Sequence, residues 1–230
     1  MQVWQGPSVI DGSPIVVLAT FGSSNVKTGP MVQLWIVRSD MHPTEARSIG
    51  ADTAICGDCP FRSVAAGGNA GCYAGRGMSA MGTGSAWKSW NRGNAAEFDL
   101  SKFVGQPVRF GAYGDPAAVP FEVWEPILAV ASGVTGYTHQ WRTADPRFAE
   151  FCMASTESVE GRRDARQRGY RSFDVLALGE SPARGQIVCP ATRIDTVTCA
   201  SCMQCGGTGS GRTADIVVTA HGGGASAITR

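Results

Sequence analysis

Seven of the eight cysteines in this 230-residue chain fall into two groups with metal-ligand spacing. The first is Cys56-Gly-Asp-Cys59, followed after twelve residues by Cys72. The second is Cys189, then Cys199-x-x-Cys202-x-x-Cys205. Any fold adopted by the chain must gather these thiols or leave two improbable patterns unused. The groups also differ in kind. Four thiolates can close a coordination shell, whereas three leave a position for water, another residue or a substrate.

The tight double spacing of Cys199, Cys202 and Cys205 suits one corner of an iron–sulfur cubane, with Cys189-Pro190 as the remote fourth ligand. A closed zinc site is the alternative, although zinc sites more often use two separated Cys-x-x-Cys pairs. At Cys56, Cys59 and Cys72 the expectation is a [4Fe-4S] cluster with one open iron. Such an iron can act as a Lewis acid or pass an electron. Zinc with Cys152 or a histidine as fourth ligand, or a purely structural cluster, are the other readings. Cys152 itself reads as a small buried hydrophobe.

Net charge is +1 and charged residues make up 17%, which argues against a polybasic nucleic-acid binder. The first residues, MQVWQGPSVIDG, lack the basic and apolar regions of a secretory signal. No apolar run reaches the roughly 18 residues that span a bilayer. The expectation is a cytoplasmic protein without a membrane partner, in a compartment where clustered cysteines serve as ligands rather than disulfides.

Pro14–Thr20 and Met31–Arg38 read as a strand pair around a Gly/Ser/Asn-rich loop, and 42–50 as a short helix. Residues 1–50 thus form a hairpin and helix, 51–93 a first cysteine-rich stretch with a short helix over 85–92, and 107–221 a run of βα units carrying the second group at 189–205. Within that run strands are expected at 107–112, 136–141, 152–155, 171–176, 186–189 and 215–220. Helical segments are expected at 120–132, 146–151 and 157–168. Alternation of short strands and helices implies parallel βαβ units. The predicted fold is α/β, a partial (β/α) barrel-like sheet in one domain, with chemistry at the C-terminal strand ends.

Between the two cysteine groups lies Gly111-Ala-Tyr-Gly-Asp-Pro-Ala-Ala-Val-Pro120. A three-cysteine loop, then a strand, then Tyr113-Gly114-Asp115-Pro116 resembles the order found in radical SAM enzymes. Those are partial barrels whose three-cysteine loop holds an open-site [4Fe-4S] cluster and whose second strand ends in a Gly-Gly-Glu-Pro-like motif. The resemblance implies S-adenosylmethionine as a cofactor, with Gly114, Asp115 and Pro116 contacting it and Asp115 in the acidic role. It likens Tyr73 to the aromatic that neighbours a cysteine in the family's loop. It makes the Cys189/199/202/205 group an auxiliary cluster. The chain departs from the family in its Cys-x-x-Cys-x12-Cys spacing and in aspartate for glutamate. CGDCP, GAYGDPAAVP and VCPA are also similar to small cysteine-rich proteins encoded in bacteriophage genomes, which implies the host cytoplasm.

Further polar candidates follow strands. His139 is a proton carrier or ligand, or a satisfied core histidine. Ser155-Thr156-Glu157 either caps a helix or contacts a bound nucleotide-like molecule. Asp115, His139 and Glu157 are the candidate catalytic residues, acting on a small-molecule or nucleotide-like substrate with an electron donor as partner. His221-Gly-Gly-Gly could approach a phosphate. Trp87–Arg92 and the arginines of 162–168 support the competing class, a zinc module that binds nucleic acid or protein without catalysis. A structural or redox-sensing cluster protein is the third.

Overall fold

In the computed structural model, residues 1–22, 25–75 and 77–228 are described. The chain is mixed α/β, and its strands group into two five-stranded sheets rather than one. The first sheet has the order β1 (Gln2–Pro7), β2 (Pro14–Thr20), β3 (Val32–Arg38), β4 (Pro107–Tyr113) and β5 (Gly133–Thr135). Its first three strands are antiparallel; β3, β4 and β5 are parallel. The second sheet has the order β6 (Tyr137–Thr138), β7 (Met153–Thr156), β8 (Ser172–Leu176), β10 (Asp215–Thr219) and β9 (Gln186–Val188), all parallel.

Sequence explains the first sheet directly. Ile15-Val-Val-Leu-Ala19 is an unbroken apolar run and is wholly buried, as a strand covered on both faces must be. β1 escapes a sequence reading because QVWQGP has neither alternation nor a continuous apolar run; it is an edge strand, where Pro7 is tolerated. The loop between β2 and β3 falls partly on residues 23 and 24, outside the described residues.

Helix α1 (Pro43–Ile49) matches its expectation, with His42 as N-cap and Gly50 closing it in the left-handed conformation at φ 81°. The short α2 (Thr53–Cys56) was not anticipated. The helix expected at 85–92 is α3 (Gly77–Asn91), and it begins eight residues earlier. Its glycines look like helix breakers, yet Gly82 lies over Trp35 and Gly84 over His42, so small residues let the helix approach β3 and α1. The segment 120–132 divides into a 3-10 turn, Phe121–Val123, and α4 (Glu125–Val130), with Pro126 in the first turn of the new helix. α5 (Val159–Gln167) is capped by Ser158, whose hydroxyl accepts from Gly161 N at 3.0 Å; capping therefore falls to neither Ser155 nor Thr156. α6 (Pro190–Arg193) and α7 (Cys199–Cys202) lie within the second cysteine group.

The strand expected over 136–141 is corrected. β5 ends at Thr135, β6 holds only Tyr137 and Thr138, and Gln140 N turns back to Thr138 Oγ1 at 2.9 Å. Gly136 joins β5 to β6 and so joins the two sheets. Its N–H donates to Cys205 O, its carbonyl accepts from Met153 N, and a Cβ there would stand 2.7 Å from Cys152 Sγ. One apolar core extends from β2, β3 and β4 through Trp124 and Phe151 to Ala154, Ala165 and Tyr170. Cys152 is fully buried within it. Among the described residues no helix is long and apolar enough to cross a membrane.

Candidate functional site

The segment 52–75 is folded by its own polar groups. The Asp52 carboxylate accepts from Ser63 Oγ at 2.7 Å and Ser63 N at 3.1 Å. Arg62 donates to Cys59 O at 2.6 Å and Ala66 O at 2.7 Å. Cys59 N returns to Cys56 O, and Cys72 N to Phe61 O. These bonds bring the three thiols of the first group within electrostatic reach of one another. Burial raises Cys56 well above the usual thiol range, and Cys59 and Cys72 push it further. Cys72 is raised by burial and by Cys59, while the N–H groups of Gly75 and Ala74 turned toward it pull the other way. A bound cation relieves this kind of strain by taking the thiols as thiolates.

The ends of β4 and β6 meet this loop. Gly114 adopts φ 79°, and a Cβ there would lie 2.7 Å from Ile36 O, so the strand exit admits only glycine. Asp115 follows, 6% exposed. One carboxylate oxygen accepts from Ala117 N at 2.9 Å, capping the 3-10 turn Pro116–Ala118; the other accepts from His139 N at 2.8 Å. Its own N–H donates to Ile55 O at 2.6 Å. Burial raises the Asp115 carboxyl, opposed by the Ala117 N–H and by His139. Both oxygens are thus engaged inside the fold, tying the Gly-Asp-Pro turn to α2 on one side and to His139 on the other.

His139 Nε2 lies 3.0 Å from Glu157 Oε1, and its ring meets Phe61 edge-on at 5.9 Å. Burial opposes a charge on this imidazole, but the neighbouring Cys59 and Glu157 outweigh it and raise the group well above its ordinary value. Gln140 was missed by sequence reasoning. Its amide donates to Cys56 O at 3.2 Å and Asp58 Oδ1 at 2.9 Å, and its side chain lies against Gly57. No short-range pattern marks it, because its partners are over 80 residues away.

Of the expected site residues, Cys56, Cys59, Cys72, Asp115, His139 and Glu157 come together. Gly114 and Pro116 form the adjoining turn. Ser155 is buried in β7 with its carbonyl accepting from Trp141 Nε1 at 2.9 Å. Tyr73 is 44% exposed, accepts from Arg109 Nη2 at 2.6 Å and faces the His221 ring at 5.8 Å. Arg109, also unanticipated, extends from β4 toward the second cysteine group. Burial raises Cys199 and Arg109 draws it back down; Arg109 Nε is buried without a hydrogen-bond partner among the described residues.

The four cysteines of the second group line one partly enclosed cavity with Thr135, Tyr137, Met203 and Ile216. Its free space is about 20 Å³, room for one water-sized body. Burial pushes Cys205 up to about 12, while Tyr137 offsets this with a hydrogen bond. Among the described residues, no group of three or more His, Cys, Asp or Glu side chains is arranged to hold a metal ion. The donor chemistry of both groups fits a thiophilic metal or cluster; their spacing in this structure does not form a finished coordination shell.

Trp87 Nε1 donates to Arg38 O at 2.9 Å and Trp90 Nε1 to Gln2 Oε1 at 2.6 Å, so both indoles are packed within the fold. Three arginines of 162–168 are paired with carboxylates: Arg162 with Asp174, Arg166 with Asp215 and Arg168 with Asp164. Comparison with protein-family models, with curated proteins and with solved structures finds no match to this chain.

Proposed function

We propose that this is an iron–sulfur enzyme of radical SAM-like type. Cys56, Cys59 and Cys72 hold an open-site [4Fe-4S] cluster, and Cys189, Cys199, Cys202 and Cys205 hold a second metal centre. The carrying observation is the meeting of Cys56, Cys59 and Cys72 with Asp115, His139 and Glu157 where β4 and β6 end. Parallel strand order supports the partial barrel in this reading. β3, β4 and β5 continue into β6, β7, β8 and β10 with only Gly136 at the join. The cluster supplies an electron or an open iron, and S-adenosylmethionine is the cofactor that the Gly114-Asp115-Pro116 turn would adjoin.

The chain's own residues have separable tasks. Asp115 positions the His139 backbone and holds the turn. His139 and Glu157 form a proton-carrying pair next to Cys59. Tyr73 and Arg109 line the approach between the cysteine groups. Asp115 acts through His139 and the turn, since neither oxygen is free.

Anaerobic reconstitution with iron and sulfide analysis tests the proposal. Iron and sulfide should be retained, and Cys72→Ser should reduce both while the protein stays folded. Stoichiometric zinc with neither iron nor sulfide overturns it. Formation of 5′-deoxyadenosine from S-adenosylmethionine after dithionite reduction tests the cofactor separately. A second reading applies to the four-cysteine group: its water-sized cavity favours a single zinc ion there. One zinc per chain alongside iron and sulfide would establish that mixed composition.

A further inference from the structure

At the end of the second sheet where β8 and β10 begin, a different set of residues opens to solvent. Arg166, Tyr170, Arg171, Arg212, Thr213 and Asp215 line a cleft of about 440 Å³, together with Thr208 and Gly211. That volume suits a small organic ligand. The charges in it do not balance. Three arginines face one aspartate, and Asp215 is already committed to Arg166 at 2.5 Å and to Ser172 N at 2.8 Å.

Arg171 is 4% exposed and makes no ion pair among the described residues, although Asp215 acts on it at longer range. Its guanidinium donates to Ala214 O at 2.5 and 2.9 Å and to Gly207 O at 2.9 Å, clamping both ends of Gly206-Gly-Thr-Gly-Ser-Gly-Arg-Thr213. Arg212 leaves that loop exposed, makes no hydrogen bond or ion pair among the described residues, and lies close enough to Arg171 for the two charges to repel. Packing accounts for three of the loop's glycines: a Cβ at Gly206 would stand 2.7 Å from Val134 O, and one at Gly207 or Gly209 would stand 2.6 or 2.7 Å from the backbone of residues 149 and 150. Arg171 is held by the loop's carbonyls and Arg166 by Asp215, so the fold leaves Arg212 as the arginine it does not account for.

We infer that this cleft binds a small ligand through a phosphoryl or pyrophosphoryl group, with Arg212 as its principal ligand and Arg166 as a second. A tetrahedral polyanion accepts hydrogen bonds from several directions at once, which suits guanidinium groups on separate walls of a cleft. It also supplies the negative charge that Arg212 lacks among the described residues. The cleft's lining includes none of Asp115, His139 and Glu157, and its ligands need no metal at either cysteine group.

The test is calorimetric titration of the purified full-length protein with sodium pyrophosphate, with sodium chloride at matched ionic strength as control. Saturable binding is expected, weakened about ten- to hundredfold in Arg212→Gln, the range for losing a charged hydrogen bond. Arg212 makes no hydrogen bond or ion pair among the described residues, so that variant should at least keep the wild-type melting temperature. Absence of saturable binding, equal affinity in Arg212→Gln, or an effect reproduced by chloride overturns the inference. Binding of single-stranded oligothymidylate through Arg212 without binding of pyrophosphate also overturns it, and would assign the cleft to nucleic acid.

Discussion

The two sheets are stabilised by opposite means. In the first, β2 and β3 bury Ile15, Val16, Val17, Leu34, Ile36 and Val37, with Gln33 as the one buried polar side chain of the two strands. In the second, the strands bury charge. Asp174 in β8 accepts from Arg162 at 2.6 Å and from Thr156 and Gln186; Asp215 in β10 binds Arg166 and Ser172 N. An apolar sheet draws on area removed from water and is indifferent to pH. A sheet laced with buried ions depends on each partner being present, because a stranded charge is costly. β2 and β3 thus give the cysteine loop a rigid apolar base, while β8 and β10 carry buried ions whose pairing depends on protonation.

The largest effect should come from breaking that charge lattice. Arg162→Ala leaves Asp174 buried without its cation and should cost about 3–5 kcal/mol in denaturant unfolding. The pH dependence has a definite sign. Burial raises the Asp174 carboxyl above its unfolded value, although Thr156 and Arg162 oppose this. Its contribution is therefore full below the unfolded value and is lost as pH rises through the folded one. Removing Arg162 raises the folded value further, so acidification should shrink the penalty in Arg162→Ala. A penalty that grows on acidification would contradict this account of β8.

Asp115→Ala comes next, at about 2–3 kcal/mol, since two N–H donors lose a charged acceptor. Asp115→Asn preserves one acceptor but turns an amide NH₂ toward His139 N–H, so it should recover only part of the loss. Urea midpoints of the two variants check the order.

This contrast was only half visible in the sequence. Ile15–Ala19 announces a buried strand by composition alone, and the Gly-Asp-Pro turn announces a strand exit. Cys56, Cys59 and Cys72 were legible as a group because they share one loop. The partnership of Asp174 with Arg162 was not, because it depends on how α5 packs on β8. Gln140 and Arg109 were illegible for the same reason: each acts on partners far away in the chain. The strand expected over 136–141 broke because Gly136 serves two sheets, a tertiary role that no local pattern encodes.

In the apolar sheet, Ile36→Val should cost about 1 kcal/mol, as deletion of a buried methylene does. Its cost should be the same at pH 5 and pH 8. A pH-dependent penalty would mean that the first sheet shares the second's electrostatics, and the contrast between them would fail.

The smallest global effect falls at the junction. Gln140 follows β6 of the second sheet, yet its amide holds Cys56 O and Asp58 Oδ1 in the loop carried by the first. Both bonds are partly solvated, so Gln140→Ala should lower unfolding stability by only about 0.5–1 kcal/mol. Its local effect should be larger, because the turn from Cys56 to Cys59 would lose the Gln140 tie to the second sheet and keep only the contact of Cys59 with His139. If the proposed cluster is present, reconstituted Gln140→Ala should release iron to a chelator faster than wild type, while Ile36→Val should not. Equal release rates would show that the loop's own Arg62 and Asp52 bonds suffice to hold the cysteines. The second sheet would then contribute His139 and Glu157 to the site but none of its rigidity.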